Sequence, residues 1–150
     1  MAARSFSADV RQFAQLTAKQ MRRVMVDSLH DVLEGAQTSA QGITAGGTLK
    51  HGRIPVVSGD LINSLAVEVN GSLGPQGAGA YTVAITGYNI GDYMRFGWTI
   101  EYAMRVENGF TGTDETGRTF NQSGWHFVSH NAAKWPGIVA RYVERYAVKL

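Results

Sequence analysis

Cysteine is absent from the 150 residues. That excludes disulfides and thiolate metal sites, and it fits a reducing compartment or a particle assembled inside one. No stretch approaches the ~18 apolar residues a membrane span requires, and no apolar run of signal-peptide length follows Met1-Ala-Ala-Arg-Ser-Phe6. A soluble chain without membrane contact is expected.

Several signatures of enzymes are also missing. No Gly-Lys-Ser/Thr phosphate loop occurs, and Gly74, Gly77 and Gly79 do not fit a dinucleotide fingerprint. Val56 stands two residues before Ser58, where a nucleophile elbow needs glycine. His126-Phe-Val-Ser-His130 sets two imidazoles four apart, a metal-binding spacing on a helix. Phe127 occupies the place of a zinc protease's glutamate, however, and a third ligand is lacking. Were Trp98 to Glu107 all strand, Glu101 and Glu107 would lie on its polar side, with nothing to hold a substrate between them. A structural role is expected for Glu107, as an ion pair across a subunit boundary. No catalytic residue, cofactor or metal is expected.

What is present is ample for one domain spanning 1–150, large enough to bury roughly two-thirds of its unfolded surface. The net charge is +2, unevenly spread. Residues 1–53 carry seven basic and four acidic groups, residues 54–115 two and seven, and residues 116–150 five and one. A negative middle between positive ends suits head-to-tail contact between identical subunits, although a merely solvated surface carries such blocks too.

A long helix is predicted from Ser7, with Val10, Phe13, Met21, Val24, Met25, Leu29, Val32 and Leu33 near the helical period and Thr17 and Gln20 interrupting the stripe. Gly35 stops it. The stretch 34–52, rich in Gly, Ser, Thr and Ala, is expected as a long flexible loop. Ala66–Val69 and Tyr81–Thr86 are predicted as an antiparallel pair joined by a mobile Gly-rich tip. Alternation from Trp98 predicts a strand through Ile100, then a helical turn closed by Gly109. Asp114-Glu-Thr-Gly117 reads as the turn of a small arm. Ile138, Val139, Tyr142, Val143, Tyr146, Ala147 and Leu150 form the apolar stripe of a closing amphipathic helix, with Pro136 in its first turn. The fold class is α+β: a small antiparallel sheet packed against a long N-terminal helix and an amphipathic C-terminal helix, both on one side of the sheet, with long Gly-rich loops. Arg141, Arg145 and Lys149 make a possible basic contact face, and a DNA-binding protein is the alternative that this row supports.

Two segments stand out. In Arg53-Ile-Pro-Val-Val-Ser-Gly-Asp-Leu-Ile-Asn-Ser-Leu65, Pro55 ends any preceding helix, Ser58 caps the next, and Asp60 puts negative charge in its first turn. Leu61 and Leu65 share a face. Downstream runs Glu101-Tyr-Ala-Met-Arg-Val-Glu-Asn-Gly-Phe110. In order and spacing, Pro55, Ser58, Gly59, Leu61 and Ser64, followed by Tyr102, Ala103, Val106, Glu107 and Gly109, resemble the tail-completion or neck proteins of long-tailed bacteriophages.

The resemblance implies a structural virion protein, a homohexameric ring completing the tail and joining it to the head connector. It implies assembly in the host cytoplasm and residence in the virion neck. The implied partners are further copies of the chain, connector or adaptor proteins, and a tail terminator or tail tube. Genomic DNA would pass through the lumen without sequence-specific binding. Residues 58–65 would fix the first helix on the sheet. The loops carrying Gly46, Gly47, Gly74, Gly77, Gly79 and Gly117 would order against neighbours. Tail-terminator proteins make similar rings and are the second reading. Thr111–Ser123 stands as an insertion relative to the family pattern.

Overall fold

The structure, a computed structural model, describes residues 17–147. Ser7, Val10, Phe13, Lys149 and Leu150 lie outside them. The first helix, α1, spans Ala18–Ala36. Thr17 and Gln20 do not interrupt it; they start it. The Thr17 hydroxyl accepts from the Gln20 amide at 3.2 Å, and the Gln20 side chain accepts from the Thr17 amide at 2.9 Å, a reciprocal cap for two otherwise unpaired N–H groups.

The stretch expected as a flexible loop is largely structured. Strand β1, Ser39–Gln41, pairs in parallel with β2, Ile54–Val56, and a single 3-10 turn at Ile43–Ala45 lies between them. Its glycines make tight turns rather than slack. Gly46 has φ +95°, and a Cβ on Gly47 would collide with the Gln41 carbonyl. Pro55 terminates no helix but sits inside β2, which among the described residues pairs with β1 alone.

Helix α2 is the single turn Asp60–Asn63. Its cap is Gly59, in the left-handed region at φ +88°, and not Ser58, whose hydroxyl makes only a long 3.4 Å contact with the Asp60 amide. Asp60 does occupy the first turn.

The antiparallel sheet has order β4-β3-β5, from β3 (Leu65–Val69), β4 (Ser72–Gln76) and β5 (Met94–Trp98). The expected pairing of Ala66–Val69 with Tyr81–Thr86 across a mobile tip is wrong. Val69 pairs with Ser72 across Asn70-Gly71, whose φ values of +52° and +84° are those of a tight two-residue hairpin. Tyr81–Thr86 belongs to helix α3, Ala80–Thr86. Its β-branched residues favour a strand, but burial of Ala80, Ala84 and Ile85 on one helical face, with Val67 of β3 packed against Ala80 and Ala84, outweighs propensities worth tenths of a kcal/mol. Arg22 closes this helix by donating to the Thr86 and Tyr88 carbonyls at 2.8 and 2.7 Å.

The predicted strand near Trp98 is β5, which begins earlier and ends at Trp98 rather than Ile100. The helical turn follows as α4, Ala103–Asn108, closed by Gly109 at φ +81°. The arm is a hairpin of β6 (Gly109–Thr113) and β7 (Thr119–Ser123), its turn fastened by the Asp114 carboxylate to the Thr116 and Arg118 amides. Helix α5, Ser129–Ala132, leads into α6, Trp135–Ala147, with Pro136 in the first turn.

The chain is α+β, with the antiparallel sheet and the two expected helices in place. Their layering is a refinement. α6 packs on α1 through Val24, Tyr142, Val143 and Tyr146, while α3 covers β3 through Val67, Ala80 and Ala84. A third core holds Ile54, Leu61, Trp125 and Phe127. No helix among the described residues is long and apolar enough to cross a membrane.

Candidate functional site

The two marked segments, distant in sequence, meet in that third core. Leu61, 3% exposed, is buried with Ile54, and Ala103 and Val106 of α4 pack against the same cluster. Burying a leucine to this extent stabilises by about 1.5–3 kcal/mol. At the surface above it lies a groove of about 110 Å³ lined by Pro55, Ser58, Gly59, Leu61, Tyr102 and Val106. Burial first, and the Asp60 charge second, push the Tyr102 hydroxyl above its ordinary pKa. Ser64 donates its hydroxyl to the Leu61 carbonyl at 2.7 Å, and its own carbonyl accepts from both the amide and the hydroxyl of Thr99 at 3.0 Å. The first segment is thereby tied to the end of β5.

The Glu107 carboxylate is hydrogen-bonded within the chain. The two oxygens accept from the Val128 and Ser129 amides, each at 2.8 Å, at the start of α5. Burial alone would raise its pKa, but hydrogen bonds from Ser129 and Val128 and the nearby His126 outweigh it, and the net shift is downward. Gly109 and Gly124 allow α4, β6 and the 125–128 segment to touch. A Cβ on Gly109 would strike the Gln122 carbonyl, and one on Gly124 the Glu107 carbonyl.

Three apolar side chains remain uncovered beside the groove or on α4: Val57 at 60%, Tyr102 at 41% and Met104 at 73% exposure. Val57 and Tyr102 line the groove itself, whereas Met104 lines a neighbouring cavity with Ile100, Ala103 and Glu107.

The other expected contact positions are scattered. Gly74 lies within β4, Gly77 is left-handed at φ +114° with open space around its Cα, Gly79 precedes α3, and Gly117 completes the arm's turn. The basic row on α6 is largely committed. Arg141 pairs with Asp31 at 2.7 Å, and Arg145 lies over the Tyr142 ring at 5.4 Å. His126 and His130 do not build a metal centre. His126 stands outside the helix at φ +50°, and the one set of three ligand groups in reach of a common ion among the described residues is His30, Asp31 and Glu34. Asp31 there already accepts from Arg141 and Tyr142, at 2.7 Å each.

Two residues that matter escaped the sequence. Gln37 is nearly buried at 9% exposure, and Asn131 at 3% donates to the Gly52 and Phe127 carbonyls at 2.9 and 2.8 Å. Polar residues in polar-looking stretches give no signal until the backbone they serve is placed. No protein-family model matches the chain, and neither curated proteins nor solved structures give a match.

Proposed function

We propose that this chain is a structural subunit of the tail-completion or neck type, forming a ring that completes the tail of a long-tailed phage and joins it to the head connector. The observation that supports this most is the closure of the two family-like segments into one core. Leu61, Ala103 and Val106 pack together while Val57, Tyr102 and Met104 stay exposed beside them. Residues that conserve shape inside and offer apolar surface outside suit a subunit whose work is assembly. The β6–β7 hairpin gives such a subunit an arm to lay on a neighbour. In this reading the protein assembles in the host cytoplasm, resides in the virion neck between connector and tail tube, and surrounds the DNA without reading its sequence. A tail-terminator ring is the nearest variant of the same reading.

The test is the mass of the purified chain by native mass spectrometry over a concentration series, with negative-stain imaging of any large species. A closed hexameric ring supports the proposal. If only monomer forms, purified virions are probed for the protein, and its absence there sinks the idea.

A further inference from the structure

Among the described residues, most arginines have a partner. Arg22 is held by carbonyls, Arg118 and Arg141 by carboxylates, and Arg23, Arg105 and Arg145 lie over aromatic rings. Arg53, Lys134 and His130 have no such contact, and His51 only stacks on the His126 ring, with centroids 5.3 Å apart. All four line one concavity of about 330 Å³ at the end of α1, and no acidic side chain lines it with them. Among the described residues, none of the four side chains has a hydrogen-bond or ion-pair partner; the ion pairs there are His30–Glu34, Arg118–Asp114 and Arg141–Asp31.

The concavity has a fixed frame. Gly52 is buried and left-handed at φ +82°, and a Cβ there would run into the His130 imidazole. Its amide donates to the Trp125 carbonyl at 2.8 Å, and its carbonyl accepts from Asn131 at 2.9 Å. A Cβ on Gly35 would collide with the Asn131 amide oxygen, so α1 closes directly against α5. The turn carrying His51 and Arg53 is therefore clamped to the helical segment carrying His130 and Lys134. Two permanent charges, Arg53 and Lys134, at one concavity with no acidic side chain in its lining favour an anion there.

We propose that this concavity binds a phosphate group, with Arg53 and Lys134 supplying permanent charge and His51 and His130 supplying further N–H donors. Arg offers a planar fork suited to phosphate oxygens, and Lys a compact charge. A volume of about 330 Å³ is at the small end for ligand sites, room for a phosphate and the group that carries it. The carrier is either a nucleic-acid backbone or a small free phosphate. The site is separate from the Leu61–Val106 groove, so it stands whether or not the chain forms a ring.

The test titrates isotope-labelled full-length protein, followed by NMR, with inorganic phosphate and with a short duplex DNA. The variants are Arg53→Gln/Lys134→Gln and, as a control of equal charge change, Lys19→Glu on the exposed start of α1. Shifts of the 51–53 and 130–134 amides with both probes support the proposal, shifts with DNA alone identify a backbone phosphate, and shifts with phosphate alone identify a free one. In each case the double variant should weaken binding at least about tenfold and Lys19→Glu much less; for DNA, the salt dependence should flatten by about two phosphates. Absence of shifts at these amides with both probes, or equal loss in the control, overturns it. The four side chains are exposed, so a thermal melt matching the wild type checks that the double variant is folded.

Discussion

The indole N–H of Trp98 donates to the side-chain oxygen of Gln37 at 2.8 Å, and the Gln37 amide nitrogen donates onward to the carbonyls of Ile62 and Ala78 at 2.9 and 3.0 Å. One nearly buried side chain thus joins the end of α1, the turn α2, the approach to α3 and the last residue of β5. All three of its hydrogen bonds are made, which is the condition for a buried amide to stabilise rather than cost.

Gln37→Leu should therefore lower stability by about 1–3 kcal/mol, because it leaves a partly buried indole N–H and two partly buried carbonyls without their partner. Trp98→Phe should cost less from the hydrogen bond alone. In urea unfolding of the single and double variants, the two losses should fall short of adding. Full additivity would show that the contact does not couple the elements it touches.

Glu107→Ala should cost about 1–3 kcal/mol at neutral pH, the range for hydrogen bonds to a charged group. The folded pKa is depressed, so the contribution is fully present above the ordinary value of 4.5 and is lost as pH falls through the folded value. Melting temperatures of the wild type and Glu107→Gln should converge in acid and diverge toward neutrality. Parallel curves at every pH would show that the charge plays no part.

Gly71 and Gly109 both have positive φ, at +84° and +81°, but different surroundings. Alanine at Gly71 meets open space and should cost only the backbone strain, about 1 kcal/mol. Alanine at Gly109 also meets the Gln122 carbonyl and should cost several times more. Equal thermal shifts for the two variants would contradict this ordering.

Val57→Ser and Met104→Ser touch exposed side chains and should leave the unfolding free energy within about 0.5 kcal/mol. If subunits meet over the exposed side chains of the two marked segments, their combination should abolish the ring by native mass spectrometry. A ring that persists unchanged would move the interface elsewhere.

The helices with long apolar stripes were legible from sequence, because α1 and α6 repeat Val24, Leu33, Tyr142, Val143 and Tyr146 at helical spacing. The arm's turn was legible too, because Asp114 and Gly117 each do what their chemistry favours. Composition and local detail conflict elsewhere in the chain. Asn70-Gly71 is itself a hairpin signal, yet the surrounding glycines made the whole stretch look slack. Tyr81–Thr86 looked like a strand because its β-branched residues hide the burial of Ala80 and Ala84. The candidate segments were visible as a spacing, but that Leu61 would meet Val106 depends on long-range packing that no local pattern encodes. The basic concavity was invisible for the same reason, since Arg53 and Lys134 belong to different elements.

The packing of α6 on α1 also sets an order of events during synthesis. The Asp27–Tyr146 hydrogen bond spans 119 residues, so α1 has its apolar face without α6 until the residues between them have been made. At translation rates of about 5–20 residues per second that interval is on the order of ten seconds. Over the same interval the Asn70-Gly71 hairpin forms from neighbours. During synthesis the β3–β4 hairpin therefore has both its strands before α1 has α6, and Val24, fully buried in the finished fold, must wait for Tyr142, Val143 and Tyr146.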